Sequence, residues 1–449
     1  MKLWRVWYQC VGELRPACRK LRTFLWMMMV MAALCTRSDL AGVTSFVRVL
    51  GLLPESYPCM LHLFRSKALS LDRLTEIWAQ LAVRLFRPLV VGEYLICVAD
   101  GIKAPKEGRL MPAVKKLHQA SSSNSKPTYI MGHSLQAISV LVQGCAGSVA
   151  AIPIVSRIHE GLVWSNRDQR TLLDKLVALL AGVVKVWQRP VILVADAYYA
   201  SRKVIEPLLA RGDHLVTRCR INTVAYEQAA PPAKRRRGRP RLYGAKIRLR
   251  DLAANTAGYD TIASPVYGDS DVTLHYKCID LLWRPVGHLV RFVVVVHPRR
   301  GTIFLMSTDT QMDPVDVIRL YGYRFKIELG FRHAVHVIGA YAYHFWMAEM
   351  TPLARNSGDQ YMHMKSQRYR DQVKDKIGAY HLHVQLGCIA QGLMLHLSLN
   401  FSGEVWRQFR SWLRTMNVDQ PPSELVVAHA LRNRLPDFLD VLAIKPEAR

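Results

Sequence analysis

Tyr94-Leu-Ile-Cys-Val-Ala-Asp100 and Pro190-Val-Ile-Leu-Val-Ala-Asp196 are two short apolar runs that each close on an aspartate. Their length and branched side chains are those of strands buried on both faces, as in a parallel sheet. In an open α/β sheet the carboxyl ends of central strands border the crevice where ligands bind. Both aspartates are therefore expected at strand ends facing one site. Around them, residues 132–142 and 148–155 read as strands, 168–187 as an amphipathic helix, 201–210 as a helix and 214–218 as a strand. The order is three strands, a helix, a fourth strand, a helix and a fifth strand, with acids closing the first and fourth.

A third segment, Tyr321-Gly-Tyr-Arg-Phe-Lys-Ile-Glu-Leu-Gly-Phe-Arg332, sets one carboxylate among cations. Asp313-Pro314 upstream has the form of an N-cap followed by proline at the first helical position, so one helix is expected to start there and run through the motif. At about 100° per residue, with Tyr321 at zero, Arg324 falls near −60°, Glu328 near −20° and Arg332 near +20°. One face then carries an aromatic hydroxyl, a carboxylate and two guanidiniums.

With 449 residues, half of them apolar, the chain has material for two or three domains. Its 61 Lys and Arg against 34 Asp and Glu give a net charge of +27 and a pI near 10.0, the footprint of a polyanion partner. Nucleic acid is the first candidate and an anionic membrane the second. The one suspicious apolar run, residues 24–35, is 12 residues long, too short to cross a bilayer; it reads as a buried helix, with no membrane partner. The nine cysteines are scattered with no C-x-x-C pair, the usage of reduced thiols in a cytosolic chain. The 16 histidines form no zinc spacing, so a metal here would be held by oxygen.

Along the chain, residues 1–90 read as a helical, DNA-binding region, in which 42–50 could be one helix of a helix-turn-helix capped by Thr44. Residues 91–218 form the first part of an α/β core. Within it, 101–127 is a polar excursion bearing Lys103, Lys106, Arg109, Lys115 and Lys116. Residues 219–305 read as a β-rich insertion with strands at 271–283, 288–297 and 302–307 and a basic loop at 229–242. Residues 306–400 complete the core, with helical character returning at 378–399, and 401–449 read as a helical tail.

Three carboxylates converging without histidine or cysteine suit a hard cation such as Mg²⁺ or Mn²⁺. Two ions about 3.5–4 Å apart can clamp the attacking and leaving oxygens of a phosphoryl displacement. Asp100 would bridge them, Asp196 would hold one and Glu328 the other. Arg324 and Arg332 would offset the crowded negative charge or grip the phosphates beside the scissile bond. Tyr321 could bond a phosphate, stack on a flipped base or simply pack, and Lys103 could contact DNA. His133 and His333 read as structural residues.

These residues resemble those of bacterial insertion-sequence transposases of the DDE class. The match lies in Asp100 of Val-Ala-Asp-Gly-Ile-Lys103, Asp196 of Val-Ala-Asp-Ala-Tyr-Tyr199, and the Y-x2-R-x3-E-x6-K signature in Tyr321, Arg324 and Glu328, and it extends over roughly residues 90–345. The resemblance implies a ribonuclease-H-like mixed sheet flanked by helices, with a β-rich insertion before the glutamate helix. It implies two Mg²⁺ ions on the three acids, cutting of DNA at the element's ends and joining of the freed 3′-hydroxyl to target DNA. The implied partners are terminal inverted repeats and target DNA, bound by a homodimer in the cytoplasm at the nucleoid. The signature's last lysine position is Val335, and Arg332 is the basic residue one turn earlier. In the insertion, Arg237-Gly-Arg-Pro-Arg241 resembles an AT-hook core, whose Arg237, Arg239 and Arg241 would enter a minor groove, although a generic basic loop has the same composition. Two alternatives stay open: a nuclease without strand transfer, and an inactive transposase-derived DNA-binding protein.

Overall fold

Apolar side chains at helical spacing through the first 85 residues fold as α1 (Lys2–Gly12), α2 (Leu21–Thr36), α3 (Thr44–Val49), α4 (Ser56–Leu63) and α5 (Leu71–Leu85) in the computed structural model. The structure describes residues 2–119, 127–144, 147–231, 241–266, 268–410 and 416–435. Strands follow: β1 (Arg87–Pro88), β2 (Val90–Val91), β3 (Tyr94–Pro105), β4 (Lys115–His118), β5 (Tyr129–Gln143), β6 (Val149–Ile158) and β7 (Leu162–Val163). Then come α6 (Leu172–Trp187), β8 (Val191–Ala195), α7 (Arg202–Leu209) and β9 (His214–Arg218). The next stretch is strand-rich, with β10 (Val224–Gln228), β11 (Tyr243–Arg248), α8 (Leu249–Leu252), β12 (Asp260–Ala263), β13 (Thr273–Trp283), β14 (His288–His297) and β15 (Gly301–Ser307). The chain ends in α9 (Pro314–Tyr323), α10 (Phe325–His333), β16 (Gln360–Tyr361), α11 (Gln367–Asn400), α12 (Ser402–Phe409) and α13 (Glu424–Arg432).

These elements form two compact units. One gathers Met1–Leu89, Gly101–Leu172 and Ile327–Arg449, the other Val90–Asp100 and Leu173–Lys326. The first is built around α11, whose residues 382–394 are all buried because α2, α5, α13 and β6 pack around it. A helix apolar on every face is a core helix or a membrane span. Among the described helices α11 alone is long and apolar enough to cross a membrane, and 89% of its most apolar window is buried inside the chain. Helix α2 is likewise buried from Val30 to Thr36, as its apolar run suggests. In the same unit β4, β5 and β6 pair antiparallel. The second half of β3 runs beside β5, so close that a Cβ on Gly132 would lie 2.4 Å from the Ala104 carbonyl oxygen.

The second unit is a large mixed sheet. The first half of β3 pairs parallel with β8, and β8 pairs parallel with β9. Beyond β9 the order continues antiparallel through β15, β14, β13, β10 and β11, with β12 beside β13. The strand-rich stretch after residue 219 therefore extends the sheet from β9. Helix α9 lies over β8, β9, β14 and β15; it starts where expected, with Asp313 Oδ1 accepting from the Val315 amide at 2.7 Å and Pro314 in its first turn.

Several local expectations are corrected. Asp100 does not end its strand: β3 runs on to Pro105, because Gly101–Pro105 finds pairing partners in β5 that its own composition does not advertise. The excursion at 101–127 thus holds the end of β3 and all of β4. Helix 168–187 begins only at Leu172, since Asp168 is engaged with Arg170, its Oδ2 2.8 Å from Nη2. Thr44 is not a cap: Val43 occupies that position, and the Thr44 hydroxyl donates to Ala41 O at 2.6 Å. Helix α3 spans only six residues and buries Ser45 and Phe46, a poor build for a base-reading helix. The motif helix is not continuous either. Tyr323 ends α9, and a π turn over Ala334–Ile338 follows α10.

Gly392 shows how tightly α11 is seated. A Cβ there would lie 2.2 Å from Cζ2 of Trp78, whose indole is tied to Pro153 O at 2.8 Å and cannot swing aside. Helix propensity alone favours alanine over glycine by about 1 kcal/mol. The overlap outweighs it, and Gly392→Ala is expected to destabilise the chain by about 1–2 kcal/mol, read as a lower urea midpoint; an unchanged or higher midpoint would contradict this packing.

Candidate active site

Strands β3 and β8 run in parallel with Leu95 opposite Val191, Ile96 opposite Ile192, Cys97 opposite Leu193 and Val98 opposite Val194. Continued by two residues, that register sets Asp100 opposite Asp196. Adjacent strands are about 4.8 Å apart, so the matched Val-Ala-Asp endings place two half-buried carboxylates side by side. Leu95–Ala99 and Val191–Ala195 beneath them are fully buried, which fixes both backbones.

Asp196 sits just past the end of β8. Its Oδ1 accepts from the Tyr198 amide at 2.9 Å, and its carbonyl accepts from the Thr217 hydroxyl on β9 at 2.7 Å. The root of β8 is held in turn by Asp213, wholly buried, which accepts from the Val191 amide and from Arg211 at 2.9 Å each. The Asp196 side chain is thus aimed by its own turn and by the neighbouring strand.

Arg324 Nη1 lies 3.1 Å from Asp100 Oδ2, with the two side chains 18% and 20% exposed. This joins residues 224 positions apart in the sequence. Arg324 occupies the hinge between α9 and α10 in helical conformation. Its place depends on Gly322: a Cβ there would lie 2.3 Å from Cγ1 of Val266, so only glycine lets α9 settle against that side chain. Beside the ion pair is a cavity of about 220 Å³ whose lining includes Arg218, Val266, Arg300, Tyr321, Arg324 and Phe325. Arg218 and Arg300 were not singled out in the sequence. Arg218 closes β9 as the aspartates close the core pairing of β3 and β8, a signal that could have found it; Arg300 sits in the β14–β15 turn and carried none.

Glu328 lies in the first turn of α10, in the compact unit that does not contain the two aspartates. Arg332, exposed, and His333 close that helix. Three anchors hold it. Gln391 Nε2 on α11 donates to Gly330 O at 2.9 Å. His333 Nδ1 lies 2.6 Å from Oε2 of the buried Glu424 on α13. Arg37 donates to the carbonyls of Ile338 at 2.6 Å and Gly339 at 3.0 Å, putting a cation where a helix terminus presents unsatisfied carbonyls. Gly339 there adopts φ +66, and a Cβ would lie 2.1 Å from Arg37 Nη2. Burial pushes the Arg37 guanidinium down to about 10, still charged at neutral pH. Val335, at the signature's lysine position, falls inside the π turn, so a rotation of about 100° per residue cannot be carried on from Glu328 to it.

Of the remaining candidates, the Lys103 ammonium donates to His118 O at the exposed edge of β3. Lys106 is no surface cation: it is 3% exposed and donates to Tyr341 O and Tyr343 O at 2.6 and 3.2 Å, and burial lowers its pKa to about 8. His133 is structural, buried with Nε2 2.9 Å from Pro112 O, and burial holds its pKa down at about 3. His333 is the structural anchor just described. Arg241 is exposed ahead of β11, and Arg237 and Arg239 lie outside the described residues.

Among the described residues no three His, Cys, Asp or Glu side chains gather as a metal cluster, and the eight described cysteines are free. What stands together at Asp100 and Asp196 is carboxylate oxygen with a guanidinium as counter-charge. That chemistry fits a hard divalent cation, which takes oxygen ligands.

The His333–Glu424 bond has a definite pH signature. Hydrogen bonding to Glu424 raises the His333 pKa above its ordinary value, against burial and the nearby Arg332 charge. Its contribution to stability is fully present below about pH 6.5 and is lost as the pH rises through the raised pKa. The urea midpoint of the wild-type chain should exceed that of His333→Gln by an amount equivalent to about 1 kcal/mol at pH 6, and the gap should close in alkali. A gap constant from pH 6 to 9 would contradict the assignment.

No curated protein matches the chain. Residues 22–268, more than half of it and including Asp100 and Asp196, match the family described as DDE superfamily endonuclease. The chain, with its mixed α/β architecture, belongs to the DDE superfamily endonuclease family.

Proposed function

We propose that this chain is a DDE transposase that cuts DNA at the ends of an insertion sequence and joins the freed 3′-hydroxyl to target DNA. The observation that carries the reading is the register of β3 and β8, whose last paired residues, Val98 and Val194, stand two positions before Asp100 and Asp196. Support comes also from the strand order. In the unit that holds the two aspartates, the first half of β3, β8 and β9 run parallel, the layout expected of one half of a ribonuclease-H-like core.

Asp100, Asp196 and Glu328 are the proposed ligands of two Mg²⁺ ions, or Mn²⁺; enzymes of this family typically use divalent metals. When bound, such ions offset negative charge on the attacking and leaving oxygens of a phosphodiester. The protein's part is to hold the acids and to orient the strand. Arg324 neutralises Asp100 and aims the carboxylate, and Tyr321, Arg332 and Lys103 engage flanking phosphates. Arg237, Arg239 and Arg241 would contact DNA from the insertion. Synapsis of two inverted-repeat ends calls for a homodimer, working in the cytoplasm at the nucleoid. A second reading, an inactive transposase-derived DNA-binding protein, is favoured by Val335 at the lysine position.

The test uses end-labelled duplex carrying the repeats that flank the coding region, with Mg²⁺. The wild-type chain should give nicked and joined products. Asp100→Asn, Asp196→Asn and Glu328→Gln should each lose at least about 100-fold in cleavage while still binding DNA. Hydrolysis without joining would identify a plain nuclease. Cleavage unaffected by the three variants would refute the site, and DNA binding without cleavage by the wild type would favour the second reading.

A further inference from the structure

The unit built around α11 holds a cavity of about 540 Å³ between the α4–α5 turn, the segment near Met347 and the N-terminal half of α11. Its walls are apolar, formed by Phe64, Leu69, Met347, Ala379 and Leu382. Its rim is basic, with Arg65, Lys67 and Lys376. None of these three makes an ion pair or a side-chain hydrogen bond with a described residue, and Arg65 and Lys376 are close enough for their charges to repel. The other charges at the rim are mostly spoken for: Lys374 pairs with Asp371 at 3.2 Å and Glu349 with Arg368 at 3.2 Å, leaving Asp375 as the opposing acid.

Each feature asks for something. Clustered cations that outnumber the opposing acid favour a polyanion. An apolar cavity of this size suits a planar organic group, not a bare phosphate. One ligand class answers both, a nucleotide: phosphates for the rim and a base for the walls. Single-strand binders combine cations and apolar platforms in this way.

We propose that this cavity receives an unpaired nucleotide of a DNA strand, with flanking phosphates on Arg65, Lys67 and Lys376 and the base against the apolar walls. The assignment rests on the reading of the chain as a DNA-acting protein and adds to it a site for single-stranded DNA away from the paired aspartates.

The experiment measures equilibrium binding of the full chain, with divalent ions chelated so that no cleavage occurs, to a blunt duplex and to the same duplex with a three-nucleotide single-stranded tail. The tailed DNA should bind about tenfold more tightly. Arg65→Ala/Lys67→Ala/Lys376→Ala should abolish that preference and reduce the salt slope for the tailed DNA by about 2. Equal binding of tailed and blunt DNA, or a preference that survives the triple variant, overturns this site while leaving the DNA reading intact. Failure to bind either DNA overturns both.

Discussion

Two aspartates stand at neighbouring positions on adjacent parallel strands, and that register is the constraint on which this part of the molecule depends. At a separation of one strand spacing, like charges are tolerable only with compensating cations or a shifted ionisation. Arg324 supplies one such charge to Asp100, and the Asp196 turn supplies a backbone amide to the other carboxylate. The apolar strands beneath make the arrangement rigid, since Leu95–Ala99 and Val191–Ala195 have no exposed surface through which to relax. The proposed metal chemistry would add a further positive charge to these two carboxylates.

The helix bearing Glu328 is governed by a different principle. Nothing intrinsic to Phe325–His333 makes it a strong helix, and a π turn interrupts its end. Its place is set by tertiary bonds: Gln391 to Gly330, Glu424 to His333, and Arg37 to the last carbonyls. Those partners come from regions outside the signature, one near the N-terminus and two beyond residue 390. The flanking helices therefore act as structural supports for the motif helix whatever else they bind.

What could be read from the sequence follows from what is local. The apolar runs ending at Asp100 and Asp196 needed only length and branching, and the Asp313-Pro314 start only its capping chemistry. The extension of β3 through Gly101-Ile-Lys-Ala-Pro105 was hidden because a glycine and a lysine imitate a loop, and the deciding partner, β5, lies about thirty residues on. Lys106 looked like its exposed neighbours, since composition does not tell a solvated ammonium from one folded over the Tyr380 ring at 5.4 Å. The break at Arg324 and the π turn at Val335 were equally out of reach. Gly322 against Val266 and Arg37 against Gly339 are contacts between distant segments, with no periodic trace.

Direct measurement of divalent binding probes the paired aspartates themselves. Mn²⁺ can be titrated into the wild-type chain and into Asp196→Asn, in the presence of a duplex end, with free Mn²⁺ followed by its paramagnetic resonance. Asp371→Asn, a change at an exposed acid on α11, serves as the control. If Asp100 and Asp196 form one anionic centre, Asp196→Asn weakens binding at least about tenfold and the control leaves it unchanged. Identical titrations for all three chains would mean that the two carboxylates do not act together.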